Sequence, residues 1–144
     1  LFLQFLVFWS HFDITGLEAK LFELVQPKEH GEYFVCFPVG METGSFTYVA
    51  AVKGDKQPPG GVSLFQGEVP EAMYAVFTTP PADYADQGFV QTVAGTWRYI
   101  LEDWFPRSGY EYAPDKVEVE FYDERCHEQT GAVMEIYIPV MKQV

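Results

Sequence analysis

The chain has 144 residues, 9 Lys plus Arg against 21 Asp plus Glu for a formal charge of -12, and is 48% hydrophobic and 17% aromatic. That length suits a single domain, 1–144, with a real core, and an acidic chain without clustered basic residues argues against direct binding to nucleic acid. The two cysteines and three histidines lack metal-ligand spacing, so no metal or other cofactor is expected; the thiols read as reduced, and a disulfide stays open.

The opening LFLQFLVFW is apolar for nine residues only, against about 20 for a membrane-spanning helix. It also lacks the basic start and small-residue cleavage site of a secretory signal. No membrane association and a cytoplasmic location are therefore expected, and the missing initiator Met fits a chain that begins inside a longer reading frame. Residues 1–12 read as a helix with Phe5, Phe8, Trp9 and Phe12 on one side, or as a buried strand, because periodicity cannot arbitrate so continuous an apolar run. Gly16 breaks the pattern, and LEAKLFELV forms a short helix ended by Pro27. YFVCFPV (33–39) reads as a strand buried on both faces, METGS (41–45) as its turn and FTYVAAV (46–52) as its hairpin partner. KGDKQPPGG (53–61) is a loop. VSLFQGEV (62–69) is a strand, Pro70 to Ala72 a turn and MYAVFTT (73–79) another strand.

Phe89, Val93, Trp97, Ile100 and Trp104 then recur at steps of four, four, three and four, one face of an α-helix. Its start is placed near Asp86 or Gln87, where acid suits the positive end of the helix dipole. Phe105-Pro106 is read as its end, with Ser108-Gly109 as the turn, and Tyr110 and Tyr112 as covers of that corner. After Pro114 the period becomes two. Val117, Val119 and Phe121 alternate with Glu118, Glu120 and Tyr122, and Met134, Ile136 and Ile138 alternate with Glu135 and Tyr137.

Each of these last two strands thus has an apolar face and a face of carboxylates and tyrosines. If they pair, Glu120 with Tyr122 and Glu135 with Tyr137 are expected side by side. Acid among rings suits a lipophilic cation: a ring face contributes roughly 0.5–2 kcal/mol per contact, and a desolvated carboxylate supplies the counter-charge. A solvent-facing sheet with amphipathic tyrosines fits the same pattern. Residues 73–140 run strand, helix, strand, strand, and 1–52 run helix, strand, strand, the same unit without its first strand. The fold expected is α+β: two strand-helix-strand-strand modules, 1–61 and 62–144, related by a pseudo-twofold. They make one antiparallel sheet with helices on its aliphatic face and a ligand cleft on the other, into which Glu120, Tyr122, Glu135 and Tyr137 point.

MYAVFTTP, TWRYILEDWFPRSGYEY, APDKVEVEFYDER and MEIYIPVMK together resemble the GyrI-like small-molecule-binding domain, the effector-binding domain of AraC-type and multidrug-responsive bacterial regulators. FTYVAAVKG resembles that family's first hairpin, so the match covers most of 33–142. Before residue 33 it rests on FWSHF as the family's first helix, without the usual opening strand. The resemblance implies two pseudo-twofold modules with a ligand cleft between them. It also implies a buried glutamate facing a drug's positive charge, here Glu120 with Tyr122, and aromatic walls at Tyr33 and Phe89. A further wall position falls near Ala132, where this chain has no ring.

Trp97 is weighed as core residue against ligand contact, and Tyr137 as a further wall. Glu135 is either a second anion in the site or a partner for Lys142 or Arg125, and Glu118, near a strand start, is read as solvated. The leading reading is a non-enzymatic module that binds a cationic, lipophilic or amphipathic small molecule. One alternative implied by the resemblance is hydrolysis of strained-ring electrophiles, with Glu120 activating water beside Tyr122 or Tyr137. Another is a gyrase-inhibitor type of contact with a basic partner protein.

Overall fold

A computed structural model describes residues 16–39, 45–54 and 67–144. The expected helix over 1–12, all but Ser45 of the expected 41–45 turn, and residues 55–66 lie outside the described residues. The chain divides into two compact units, one made of 1–30 with 52–66 and the other of 31–51 with 67–144.

In the first unit, α1 (Leu17–Val25) follows Gly16, whose φ of 70° suits a residue without a side chain. It stops where Gln26 turns left-handed (φ 48°) and donates its N–H to the Phe22 carbonyl at 2.9 Å. Pro27, with no N–H to give, cannot resume the helix. His30 stacks on the Phe22 ring at 5.1 Å.

The second unit is built on β1 (Glu32–Val39), β2 (Ser45–Ala51), β3 (Tyr74–Thr78), β4 (Tyr110–Tyr112), β5 (Glu118–Tyr122) and β6 (Glu135–Lys142). They form a six-stranded sheet in the order β2-β1-β5-β6-β3, with β4 on the far end of β6. Every pairing is antiparallel. The β1–β2 and β5–β6 hairpins meet through β1 and β5. The fold is thus the α+β, antiparallel-sheet arrangement expected. Phe34 and Val35 are both buried, as a central strand covered on both faces requires. Of the expected strand over 62–69, Gly67–Val69 is irregular and the rest lies outside the described residues.

The long helix does not begin on an acid. A 3₁₀ turn, Ala85–Gln87, with Asp86 and Gln87 both left-handed (φ 54° and 60°), swings the chain into α2 (Gly88–Arg98). Gly88 is required there, since a Cβ would meet the Asp83 carbonyl oxygen at 2.7 Å. α2 passes into a π-helical segment, Tyr99–Trp104, and then into a last α-turn, α3 (Phe105–Ser108). Pro106 therefore does not end the helix. The wider π turn relieves the clash a proline ring makes with the preceding turn, and its missing N–H costs little in the first residues of the new α-turn. The stop is Gly109, left-handed at φ 73°, after which the chain returns as β4.

Alternation on β5 and β6 sorts the sheet into two faces. The register sets Phe34 and Ile136 on either side of Glu120 and Phe77 beyond Ile136. This is the face α2 lies on: Phe77 packs edge-on against Trp104 at 5.0 Å, and Trp97 reaches Glu120. Phe34, Met134, Ile136 and Ile138 on the sheet and Phe89, Val93 and Ile100 on the helix are its buried apolar residues. Val35, Val119 and Tyr137 line the opposite face.

Candidate functional site

Glu120 is 5% exposed in the middle of the helix-covered face. Its Oε1 accepts the Trp97 indole N–H at 2.9 Å; its Oε2 accepts the Tyr122 hydroxyl at 2.9 Å and, at a longer 3.4 Å, the Tyr48 hydroxyl. Strand alternation brings Tyr122 from two residues along β5. The β1–β2 register brings Tyr48 opposite Cys36, one strand further out. Phe34 closes the group, stacked on Tyr48 at 5.4 Å and edge-on to Tyr122 at 5.6 Å. A buried carboxylate is thus ringed by four aromatic side chains and held by neutral donors.

Burial is the main influence on Glu120 and raises its pKa. The bonds from Tyr122, Trp97 and Tyr48 pull the other way, and Glu118, on the same face, adds repulsion. Neutral donors satisfy the oxygens geometrically but return less than a cation would for the lost hydration. Tyr48 is in turn pushed well above the usual phenol range by its own burial and then by the Glu120 charge, so it stays a donor.

Glu118 is not the solvated residue the sequence suggested. It is half-buried, accepts the Tyr112 hydroxyl at 3.1 Å and also bonds Cys36, its cross-strand partner. Burial raises its pKa as well. The Cys36 thiol is driven up by burial and then by Glu118, which keeps it a neutral S–H and a poor nucleophile.

Of the residues expected at the site, Glu120, Trp97 and Tyr122 come together. The expected pairing of Glu120 with Glu135 does not form, because Glu120 faces Ile136 while Glu135 faces Phe121 and Tyr137 faces Val119. A register offset by one residue puts the two carboxylate-and-tyrosine sets on opposite faces of the sheet. Glu120 and Tyr122 consequently point to the helix side and not to the face away from it. Glu135 instead accepts the Tyr137 hydroxyl at 2.9 Å and pairs with Arg125 at 3.3 Å, one of the two cations proposed for it. Burial, with Glu135 second, pushes the Tyr137 hydroxyl up to about 12. Tyr33 shares that opposite face, against Phe121 at 4.9 Å and the Val35, Val117 and Val119 cluster. Phe89 is buried at 6% against Tyr84, 4.9 Å away, two helical turns before Trp97. Ala132 is fully buried and bridges Ala82, which leaves no room for a ring.

Tyr48, Phe34, Cys36 and Tyr112 escaped sequence reasoning. For Phe34, Cys36 and Tyr48 the signal was the register between β1, β2 and β5, which no single strand carries; Tyr112 comes from β4, six residues before Glu118. Among the described residues no helix is long and apolar enough to cross a membrane.

A solved structure titled as SAV2435 bound to tetraphenylphosphonium has the same fold, with a TM-score of 0.68, 16% identity and coverage of 95% of this chain and 77% of that one. No curated protein sequence matches. Residues 4–140 match the model of the Cass2 family, described as integron-associated effector binding protein, and the chain belongs to that GyrI-like family of effector-binding modules.

Proposed function

We propose that this chain binds lipophilic or amphipathic organic cations at Glu120, acting as a binding module and not as a catalyst. The observation that carries the reading is the Glu120 carboxylate, buried at 5% with neutral donors. Such a group is under-compensated until a positive charge arrives, and the four rings about it offer π faces and apolar area to the rest of the guest. Glu120 is the counter-ion; Trp97, Tyr122, Tyr48 and Phe34 are the walls. Membership of an effector-binding family and the tetraphenylphosphonium in a protein of the same fold support a small organic cation as the ligand class. Cys36, a neutral thiol, offers no nucleophile beside the acid. A cytoplasmic sensor or the ligand-binding part of a transcription regulator is the setting that fits such a module.

Titration with tetraphenylphosphonium, followed by Trp fluorescence and calorimetry, tests this. Binding is expected to alter Trp97 emission, because the indole N–H shares the carboxylate with the guest. Glu120→Gln, which keeps an acceptor for Trp97, is expected to weaken binding about tenfold to a hundredfold, the scale of one desolvated charge contact. Unchanged affinity in that variant would sink the counter-ion role. Affinity is also expected to fall as pH drops through the raised Glu120 pKa, since the protonated acid no longer attracts a cation.

A further inference from the structure

The cation site continues beyond Glu120. Glu118 stands on the same face of β5, alternate residues of a strand being about 7 Å apart. Burial falls along that line, from Glu120 at 5%, through half-buried Glu118, to Tyr112 at 42% on the outer side of Glu118. Among the described residues the donors to the two acids are Trp97, Tyr122, Tyr48, Tyr112 and Cys36, and none carries a positive charge. Lys116, two residues before Glu118, spends its ammonium on the Glu71 carbonyl at 2.9 Å. Arg125 is engaged with Asp123 and Glu135 on the other face. A single positive charge at Glu120 leaves the second carboxylate uncompensated and facing the guest's outer end.

We propose that Glu118 is a second anionic subsite of this site, and that the site prefers elongated lipophilic dications whose charges are spaced as the two carboxylates are. The inference rests on the reading of Glu120 as a cation's counter-ion and names the ligand class within it. Glu120 takes the inner charge among the rings. Glu118, beside Tyr112, takes the outer charge, nearer water, where a second cationic centre loses less hydration on entry.

Calorimetric titration of the full chain at pH 8 with two compounds of matched shape tests this: N,N′-dibenzyl-4,4′-bipyridinium, a dication, and N-benzyl-4-(4-benzylphenyl)pyridinium, a monocation. The unaltered chain is expected to bind the dication about tenfold tighter or more. Glu118→Gln is expected to bring that ratio near one while the monocation's affinity stays within about threefold. Glu118→Asp, which keeps the charge, is expected to retain part of the preference and so to separate charge from folding. Equal affinities in the unaltered chain, or a ratio that survives Glu118→Gln, overturns the second subsite while leaving the cation site standing. Binding of neither compound overturns both.

Discussion

At the residue scale the chemistry concentrates in one carboxylate. Glu120 has a raised pKa chiefly because it is buried, so the folded state holds its proton more tightly than the unfolded chain does. Folding is then favoured most when the acid is neutral. That contribution is fully present below the ordinary carboxylate value of 4.5 and is lost as pH rises through the higher folded value. The ligand-free protein is expected to melt at progressively lower temperature as pH is raised across that window, until general acid unfolding at the low end dominates. Glu120→Gln is expected to flatten this dependence and raise the neutral-pH Tm by a few degrees, about 3 °C for each kcal/mol in a chain of this size. Thermal melts at several pH values check it. A variant less stable than the parent at pH 7 would show that the charged acid is a net stabiliser. With the cation site proposed at Glu120, stability and cation affinity are expected to run in opposite directions with pH, because the proton and the guest would compete for the same oxygens.

At the scale of elements, the helix that carries Trp97 is the part most dependent on a local irregularity. A regular helix through Pro106 would lose a backbone bond and press the ring on the preceding turn, at a cost of about 3 kcal/mol. The π segment Tyr99–Trp104 takes up the extra residue, and the helix is released at Gly109. Gly109 has open space around a virtual Cβ but a φ of +73°, so Gly109→Ala is expected to cost about 1 kcal/mol through backbone strain alone. Chemical denaturation checks this; an unchanged midpoint would mean that the corner relaxes freely. The Trp104 ring, packed between Phe77 and Tyr110, ties this end of the helix to β3 and β4. It is therefore a structural residue, whereas Trp97, about two turns further back along the helix, gives its N–H to Glu120.

At the scale of the whole molecule, the net charge of -12 is a long-range attraction for cations, to which the contact proposed at Glu120 would add. Long-range attraction is screened within about 10 Å at 0.1 M salt, while a buried pair is screened far less. Raising salt from 50 to 500 mM is accordingly expected to slow association with tetraphenylphosphonium several-fold and to leave its dissociation rate nearly unchanged. Stopped-flow fluorescence separates the two rates, and a dissociation rate that rises with salt would place the cation at the surface instead. A guest at a hundred times its dissociation constant is expected to stabilise the fold by about 2.7 kcal/mol.

By itself the sequence determined the main helix and the strands around it, and it singled out Glu120 as the acid on which the proposed site is built. Steps of three and four gave the helix from Phe89 to Trp104, alternation gave β5 and β6, and the resemblance of those segments to a known family pointed to Glu120 with Tyr122. Alternation says which residues share a face of one strand, but not which face of the next strand lies beside it, since a shift of one residue in register exchanges them. Only the pairing of Glu120 with Ile136, and of Glu135 with Phe121, decided that the acids part company. Tyr48 and Phe34 reach Glu120, and Cys36 reaches Glu118, through β1 and β2 across long separations in the chain, whereas Tyr112 reaches Glu118 from six residues away. Pro106 likewise signals a helix end in sequence, whereas the folded chain carries the helix past it after the π segment Tyr99–Trp104. Local chemistry chose the acid, and cross-strand register chose its neighbours.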